Sequence, residues 1–302
     1  MDHTASAPRP RADPEPGDDV ERHRRRLFGV AYRMLGDAHE AEDLVQEGYL
    51  RWHRTPPEDR AAVASPEGWL VAVVSRLAID RLRRAEVERL TYVGSWLPEP
   101  VRTDAPAPDR AVELASDLSV ALLVLLERLA PEERAAFLLR EAFDTGYPEI
   151  ARILGRNEPA VRQMVHRAQQ RVHAERARFA APPGAQARLL GRFLDALAAD
   201  DGEAMLALFA DDATFTSDGG GRVSAARNVV EGPARITRLV LGLEHKWGAH
   251  TRHEPATLNG MPALLTYAQG RVIAVTSFAT DGTRITGVYR VLNPDKLRGV
   301  QP

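Results

Sequence analysis

Prolines divide this chain of 302 residues into separate parts. Four prolines between positions 98 and 108 prevent a long helix or a central strand there, because proline fixes φ and lacks an N–H. A Pro-Pro-Gly sequence at positions 182–184 forms a second break. We expect a disordered tail and three domains with these bounds: tail 1–20, first domain 21–91, linker 92–110, second domain 111–181 and third domain 184–298.

The first domain is predicted to be a helical bundle, because its apolar residues recur at helical spacing. Gly36 ends the first helix, Asp37 caps the second, and Ser65 followed by proline begins the third. Three polar residues share one exposed face of the second helix, since they lie at i, i+3 and i+4: Asp43, Gln46 and Glu47. Taken alone, this patch favours an ordinary solvated surface.

The third helix carries a polar stripe opposite its apolar face. The stripe consists of Arg76, Asp80, Arg83 and Arg84. Its basic end suits contact with a nucleic-acid backbone or a single strand. A plain solvated face explains the same residues equally well.

Residues 147–171 have the pattern of a helix-turn-helix. Ala151 is small where two helices cross closely, and Gly155 supplies the positive φ of the turn. Asn157 caps the second helix, whose polar face presents Arg162, Gln163, His166 and Arg167. Because arginine and glutamine reach guanine and adenine edges in the major groove, this face predicts duplex DNA binding. An ordinary helical hairpin is the alternative.

The third domain changes to an α+β pattern. An amphipathic helix and a shorter one near Met205 precede four strand-like runs, which Asn-Gly, Gln-Gly and Asp-Gly pairs separate. Asn-Gly and Asp-Gly favour the left-handed conformations of tight hairpins. The runs are Thr251–Leu258, Met261–Tyr267, Arg271–Thr280 and Thr283–Val291. They predict an antiparallel meander with helices against one face.

Catalytic candidates in this domain are few. They are Asp212, His245, His250 and His253. His250 and His253 lie three positions apart in a predicted strand, which directs them to opposite faces and makes them a poor metal pair. No aspartate pairs visibly with a histidine inside an apolar run. We therefore expect no metal, no cofactor and no enzyme activity.

Composition excludes further classes of function. The chain has no cysteine, which excludes disulfides, thiolate zinc sites and a thiol nucleophile. Its net charge of −2 argues against coating nucleic acid by bulk charge. No apolar run approaches the ~20 residues of a membrane helix, and the N-terminal residues lack a signal-peptide pattern. We expect a cytoplasmic protein with no membrane partner.

Read together, the helical segments carry a family resemblance. The relevant stretches are FGVAYRMLGDAHEAEDLVQEGYLRW, SPEGWLVAVVSRLAIDRLRR and LERLAPEERAAFLLREAFDTGYPEIARILGRNEPAVRQMVHRAQQRV. Over residues 21–180 they resemble the two conserved domains of the extracytoplasmic-function RNA polymerase sigma factors of the sigma-70 family. Two separate domains that match in order make the resemblance specific. It implies two all-α domains, a helical bundle and a helix-turn-helix, before the α+β domain.

The resemblance also implies a role for each polar patch. The residues matching the helix that grips the polymerase clamp are Asp43, Gln46 and Glu47. Arg76, Arg83 and Arg84 match the part that captures the −10 element. The loop from His53 to Ser65 matches the same part. Those matching the −35 reader are Arg162, Gln163, His166 and Arg167. The implied partners are core RNA polymerase, at its clamp and flap, and promoter DNA.

Residues 184–298 resemble the SnoaL-like, or NTF2-like, fold, a cone of curved sheet closed by helices. Two stretches, SDGGGRV at 217–223 and NPDKL at 293–297, are similar to motifs of the sigma-factor subgroup that carries this domain. Arg222 stands where that subgroup usually has lysine, which keeps the charge and changes the hydrogen-bond geometry. The resemblance implies a built-in regulator that contacts the linker. The residues assigned to this contact are Asp218, Gly219, Gly220, Gly221, Arg222, Asn293, Pro294, Asp295, Lys296 and Leu297, with Trp96, Leu97 and Pro98 of the linker.

The sequence thus predicts a promoter-specificity subunit of RNA polymerase with a C-terminal regulatory domain. It neither requires nor excludes a separate anti-sigma factor. Two other functions stay open at this point. One is a helix-turn-helix regulator fused to a ligand-sensing domain, and the other is an isomerase-like enzyme with a DNA-binding appendage.

Overall fold

The computed structural model describes residues 18–103, 119–176, 181 and 183–301. Most of the predicted tail therefore lies outside the described residues, as does the linker after residue 103. Within the described ranges, no helix is long and apolar enough to cross a membrane.

The first helical segment begins with a 3-10 turn, Asp18–His23. Its α-helices over residues 18–103 are α1 (Arg24–Leu35), α2 (Ala38–Arg54), α3 (Pro57–Ala61) and α4 (Pro66–Arg89). The predicted caps are confirmed. Gly36 adopts φ 67°, Asp37 accepts the N–H of Glu40 at 2.8 Å, and Ser65 accepts that of Gly68 at 3.0 Å.

The second helical segment contains the predicted helix-turn-helix. Its helices over residues 119–176 are α5 (Val120–Leu126), α6 (Pro131–Glu141), α7 (Tyr147–Leu154) and α8 (Glu158–Arg176). Gly155 ends α7 with φ 63°, and the Asn157 side chain accepts the N–H of Ala160 at 2.9 Å at the start of α8. Ala151 and Val161 are buried between these helices, as the pattern requires.

The two helical segments share one hydrophobic core, whereas the sequence predicted two separate domains. Arg134 of α6 is buried within this core. Its guanidinium donates to the backbone carbonyl of Arg33 in α1 at 2.9 and 3.1 Å and pairs with Glu127. Because a buried arginine needs several acceptors, this contact fixes α6 against α1.

The C-terminal segment is an α+β domain. Its helices are α9 (Pro183–Ala198), α10 (Gly202–Leu208) and α11 (Pro233–Trp247), with 3-10 turns at Gly248–His250 and Pro294–Val300. Its strands are β1 (Phe209–Asp218), β2 (Val230–Glu231), β3 (Arg252–Leu258), β4 (Met261–Ala268), β5 (Arg271–Thr280) and β6 (Ile285–Val291). They form one six-stranded sheet in the order β2-β1-β6-β5-β4-β3.

The predicted meander of β3 to β6 is confirmed, and its sheet is larger than predicted. The sequence signals did not reveal β1, β2 or α11. In β1, Asp211 and Asp212 interrupt the alternation, and the pairing with parallel β6 shifts register after Phe209. The prediction that His250 lies in a strand is wrong. It ends a 3-10 turn before β3, so the opposite-face argument does not apply to it.

The two faces of the sheet are covered differently. One face packs against α9, α10 and α11 around Phe193, Phe215 and Phe278. The other packs against the linker and the second helical segment, through Leu97 and Val120. Since both faces are buried, the C-terminal domain is an integral layer of the protein.

Candidate functional site

A buried ion pair of the C-terminal domain binds the linker backbone. Asp218, at the end of β1, and Lys296, in the last 3-10 turn, lie 2.7 Å apart. Asp218 accepts the N–H of Leu97 at 2.9 Å, and the Lys296 ammonium donates to the carbonyl of the same residue at 2.5 Å. Both polar groups of one linker residue are thus held by one ion pair.

Two more side chains complete this contact. The hydroxyl of Tyr92 donates to Asp218 at 2.6 Å, and the side-chain amide of Asn293 donates to that hydroxyl at 3.2 Å. Gly220 adopts φ 59°, and a Cβ at this position would lie 2.3 Å from Asn293, so only glycine fits. We call Asp218, Lys296, Tyr92 and Asn293 the linker clasp.

The charge of Lys296 is opposed by burial and supported by an aromatic ring and a carboxylate. Its ammonium lies 4.0 Å from the ring centroid of Trp96, whose ring is also contacted by Arg89 at 4.0 Å. Burial lowers the pKa of Lys296, and the neighbouring Asp218 carboxylate opposes this effect. Burial also raises the pKa of Tyr92, so its hydroxyl stays a hydrogen-bond donor to Asp218.

The remaining residues of the motifs SDGGGRV and NPDKL differ in how deeply they are buried. Arg222 and Asp295 form an exposed ion pair at 3.2 Å, and Pro294 is exposed. Gly219 is buried, and Gly221, with φ 69°, lies against Val93 of the linker. Leu297 packs in the apolar cluster that contains Leu97.

The linker is fixed a second time just beyond the clasp. The Glu99 carboxylate accepts the N–H of Ala38 at the start of α2, at 2.8 Å. Tyr32 donates to the carbonyl of Glu99 at 2.9 Å and accepts from the side-chain amide of Asn259 at 2.6 Å. Residues 96–103 therefore run between α1 and the β3–β4 turn, and side chains of both elements bind them.

Glu99 is a carboxyl group that titrates near neutrality. Burial, with a further contribution from Asp37, raises its pKa from 4.5 to about 7, although the backbone of Ala38 and the charge of Lys296 act in the opposite direction. It was not among the residues singled out from the sequence. Neither were Tyr32 and Tyr92, and Asn259 was singled out only for its turn. The partners of all three lie far along the chain.

The residues that match the clamp-binding helix lie on the surface of α2. Asp43 and Gln46 are exposed. Glu47 is half-buried and pairs with Arg51 one turn later at 2.8 Å. The three side chains share one face of the helix, as their spacing predicts.

The basic stripe of α4 faces the second helical segment. Arg76 donates from Nε and Nη2 to the carbonyls of Ile153 and Arg152, both at 2.9 Å, at the C-terminal end of α7. Arg83 pairs with Glu132, which also binds Arg156 at 3.0 Å. These backbone and ion-pair contacts join α4 to α6, α7 and the turn before α8. We call them the helical contact.

Arg84 differs from its neighbours on α4. Its Nε donates to the carbonyl of Asp80 at 3.3 Å, one turn earlier in the same helix, and the residue is exposed. Asp80 itself pairs with Arg83 at 3.3 Å.

The exposed face of α8 carries the residues that match the −35 reader. Arg162 pairs with Glu158 and lies 4.2 Å from the ring centroid of Tyr147. Gln163 is exposed, and His166 lies 3.1 Å from the side-chain amide of Gln170. Arg167 pairs with Glu133 of α6 at 3.4 Å. The face is polar, basic and accessible, which suits contact with the edges and backbone of duplex DNA.

The catalytic candidates of the C-terminal domain are dispersed. Asp212 is exposed on β1, His245 pairs with Asp200 at 2.7 Å on the surface, and His250 is exposed. His253 contacts Glu244 at 3.0 Å, a pair not visible in the sequence. Among the described residues, no group of three or more histidines and carboxylates could hold a metal ion.

These features define an RNA polymerase sigma factor with an added C-terminal domain. Residues 20–87 match the family Sigma-70 region 2, and residues 119–172 match Sigma-70, region 4. The chain belongs to the extracytoplasmic-function (ECF) RNA polymerase sigma factors. Its C-terminal domain has the α+β class that the sequence predicted.

Individual relatives match nearly the whole chain. ECF RNA polymerase sigma factor SigJ of Mycobacterium tuberculosis (strain H37Rv) is 38% identical over 295 residues, which cover 93% of each chain. A probable ECF sigma factor, SigI of the same species (strain CDC 1551), is 30% identical, covering 91% of this chain and 92% of SigI. The crystal structure of M. tuberculosis SigJ superposes with a TM-score of 0.75 and 34% identity, covering 93% of this chain and 98% of that one.

Removing the charge of Asp218 should strongly destabilise the protein. In Asp218→Asn, Lys296 stays buried without its counter-ion, and we expect a loss of about 3 kcal/mol in the free energy of unfolding, measured by urea denaturation. The double variant Asp218→Asn/Lys296→Met should recover part of this loss, because no unpaired charge remains. The control Asp295→Asn breaks exposed ion pairs and should cost less than about 1 kcal/mol. Equal effects of Asp218→Asn and Asp295→Asn would contradict the assignment.

Glu99 should make stability depend on pH near neutrality. Because its pKa is raised on folding, the folded state binds more protons than the unfolded state between pH 4.5 and about 7. The stabilisation from protonated Glu99 is fully present below pH 4.5 and is lost as the pH rises through 7. The free energy of unfolding should fall over this range by at most about 3 kcal/mol. In Glu99→Gln, the free energy of unfolding measured by urea denaturation should not show this dependence on pH. Parallel pH profiles for the variant and the parent protein would show that Glu99 does not titrate in this range.

Proposed function

We propose that this chain binds core RNA polymerase and directs it to promoters, with region 2 capturing the −10 element and region 4 reading the −35 element. The observation that carries the proposal is the presence, in one chain, of both sigma-70 regions, with polar faces on α4 and α8. A melted strand and a duplex groove need different binding surfaces, and α4 and α8 supply one of each.

Asp43, Gln46 and Glu47 are proposed to bind the polymerase clamp. Their side chains lie on the outer face of α2, away from the helical contact, so polymerase reaches them without rearrangement of the fold. The acidic charge suits a basic partner surface, and electrostatic complementarity raises the association rate.

Replacing both carboxylates of this face tests the proposed interface. Asp43→Ala/Glu47→Ala should weaken binding to core polymerase about tenfold, as measured by fluorescence anisotropy, because two charged contacts are lost. The circular dichroism spectrum should not change, since both residues are on the surface. Asp144→Ala, whose side chain is 96% exposed, serves as a control of equal charge type. Unchanged affinity of the double variant would remove this face from the interface.

Arg162, Gln163, His166 and Arg167 are proposed to face the −35 element. In the structure Arg162 is engaged by Glu158 and Tyr147 on its own helix-turn-helix, and more than half of its side chain is exposed. The guanidinium therefore needs to leave only local partners to reach a base edge.

Arg162→Ala should reduce affinity by ~1–3 kcal/mol for one base at one −35 position, if its guanidinium reads that base. The measurement compares the polymerase complex on templates with each base at each −35 position. A similar loss on every template would assign Arg162 to a phosphate instead.

The helical contact is proposed to hold the protein in a closed state. Arg76 and Arg83, which match the −10 region, are bound to α6 and α7 in this structure. A single strand cannot contact the same guanidinium donors while those contacts persist. Binding of the −10 element therefore requires α4 to separate from the second helical segment.

Glu132→Gln should favour the open state. It removes the shared carboxylate between Arg83 and Arg156, and we expect single-stranded DNA to bind about threefold more tightly, the factor for one exposed ion pair. Fluorescence anisotropy with a randomised oligonucleotide pool gives the affinity. Asp144→Asn is the matched control, because Asp144 pairs with Arg140 inside the second segment. Equal affinities of the two variants would mean that the contact does not limit access.

The C-terminal domain is proposed to regulate initiation by holding the linker. The linker clasp binds Leu97, and Asn259 bonds to Tyr32 and to the backbone of Val101. This domain therefore contacts the linker that joins the two DNA-binding regions. The domain thereby sets how far apart these regions can lie. A separate anti-sigma factor is not required for this regulation. We assign the domain no catalytic role.

A further inference from the structure

The exposed side of α11 carries charge of one sign. Its outward positions recur at helical spacing, while Ile236 and Thr237 on its inner side are buried. The outer residues are Ala234, Arg235, Arg238, Gly242, His245 and Lys246. None of them is a carboxylate, although the whole chain has a net charge of −2. We call Arg235, Arg238 and Lys246 the cationic face.

The cationic face is available to an external partner. Within the part of the chain that the structure describes, no carboxylate lies within 4.0 Å of its three charged groups. Glu244, the one carboxylate of α11, is half-buried and contacts His253 of β3 at 3.0 Å. His245 is engaged by Asp200 at 2.7 Å. Because a solvated helix usually mixes charges of both signs, an unpaired face of one sign indicates an anionic partner.

Another helix of the same layer shows the contrast. The outer side of α9 exposes Arg188, Arg192 and Asp195, so both signs of charge are present there. Helix α9 packs over β4 and β5, whereas α11 packs over β1 and β2. The excess of positive charge is therefore a property of α11 and is not shared by α9.

The cationic face lies on the side of the C-terminal sheet that is opposite the second helical segment. Ile236 of α11 packs in the same apolar cluster as Phe215, and Val120 packs with Leu97 on the other face of the sheet. The sheet thus separates the cationic face from the clasped linker. This face is exposed in the same structure in which Arg76 and Arg83 are bound in the helical contact.

We propose that the cationic face binds the phosphate backbone of duplex DNA without reading its sequence. Arg235 and Lys246 lie about 16 Å apart along the helix axis, at a rise of ~1.5 Å per residue. Duplex DNA carries one negative charge per ~1.7 Å of its axis, so a straight helix of this length meets several phosphates. The contact is separate from the proposed −10 and −35 contacts. It holds the closed protein on DNA before α4 separates from the second helical segment.

The residues of this face favour DNA over an acidic protein. Protein interfaces take most of their affinity from aromatic and apolar anchors at their centre. Between its cations this face has only Ala234 and Gly242, so charge supplies the binding energy, as it does in nonspecific DNA binding. Trp247, which is 52% exposed, lies at the end of the helix, with the Lys246 ammonium 5.2 Å from its ring centroid. A single strand needs a row of such rings, which favours the duplex.

The test measures binding of the full chain to a labelled duplex of about 30 bp without promoter elements, by fluorescence anisotropy between about 50 and 200 mM NaCl. In Arg235→Gln/Arg238→Gln/Lys246→Gln, the affinity at the lowest salt concentration should fall at least about tenfold. The slope of log K against log[NaCl] should become less steep by about 2.7, since each lost phosphate contact removes ~0.9. Arg235→Lys/Arg238→Lys keeps the charge and should keep the slope.

The control Arg188→Gln/Arg192→Gln/Arg271→Gln removes the same charge from other exposed positions. It should lower the affinity less than about threefold, because these residues lie outside the proposed contact. The melting temperatures of both triple variants should equal that of the parent protein, since every replaced side chain is exposed. Equal losses of affinity in the two triple variants, or no binding of the parent protein to the duplex, would overturn the proposal. Displacement of the duplex by poly-L-glutamate at equal concentration of charge would do the same, because it would favour an acidic protein partner.

A further variant separates the cationic face from the proposed −35 reader. Arg162→Ala/Arg167→Ala should still bind the duplex, and adding the three substitutions on α11 should remove most of the remaining affinity. With core polymerase, the variant of the cationic face should keep the base preferences of the parent protein at the −35 element. If Arg162→Ala/Arg167→Ala alone abolishes duplex binding, the cationic face is not a DNA contact, and the proposed role of α8 stands.

Discussion

The ion pair between Asp218 and Lys296 is the interaction on which the domain arrangement depends. It satisfies both backbone groups of Leu97 in a buried environment, where an unpaired peptide group would cost free energy. Because the two charges come from the end of β1 and from the 3-10 turn after β6, the pair depends on the pairing of these two strands. The linker therefore depends on the folded C-terminal domain.

Because of this dependence, the two helical segments and the C-terminal domain form one structure. The linker leaves α4, crosses the sheet at the clasp, and meets α1 and α2 through Glu99 and Tyr32. The second helical segment then packs on both the sheet and the first segment. A change in any of these layers can reach the others through residues 92–103. Such coupling gives the C-terminal domain a physical route to both helical segments.

Local signals in the sequence predicted much of this structure. The helix-turn-helix was predictable because Gly155 and Asn157 shape only the backbone within a few residues of their own positions. The hairpins were predictable for the same reason, since Asn-Gly turns are also local. Strand β1 was not predictable, since its register shift and adjacent aspartates hide the alternation of apolar and polar residues. The motif residues Asp218 and Lys296 pointed to the linker only through a family resemblance. Tyr32 and Glu99 gave no signal, and Asn259 indicated only its own turn, because their contacts join residues 67 and 227 positions apart.

The clasped linker is proposed to fix the distance between the two DNA-binding regions. In vitro transcription with core polymerase on templates whose −35 to −10 spacer varies in single base pairs measures this distance preference. We expect a narrow spacer optimum for the parent protein and a clearly broader one for Asp218→Asn/Lys296→Met, at comparable occupancy of polymerase. Identical spacer profiles for the two proteins would contradict it.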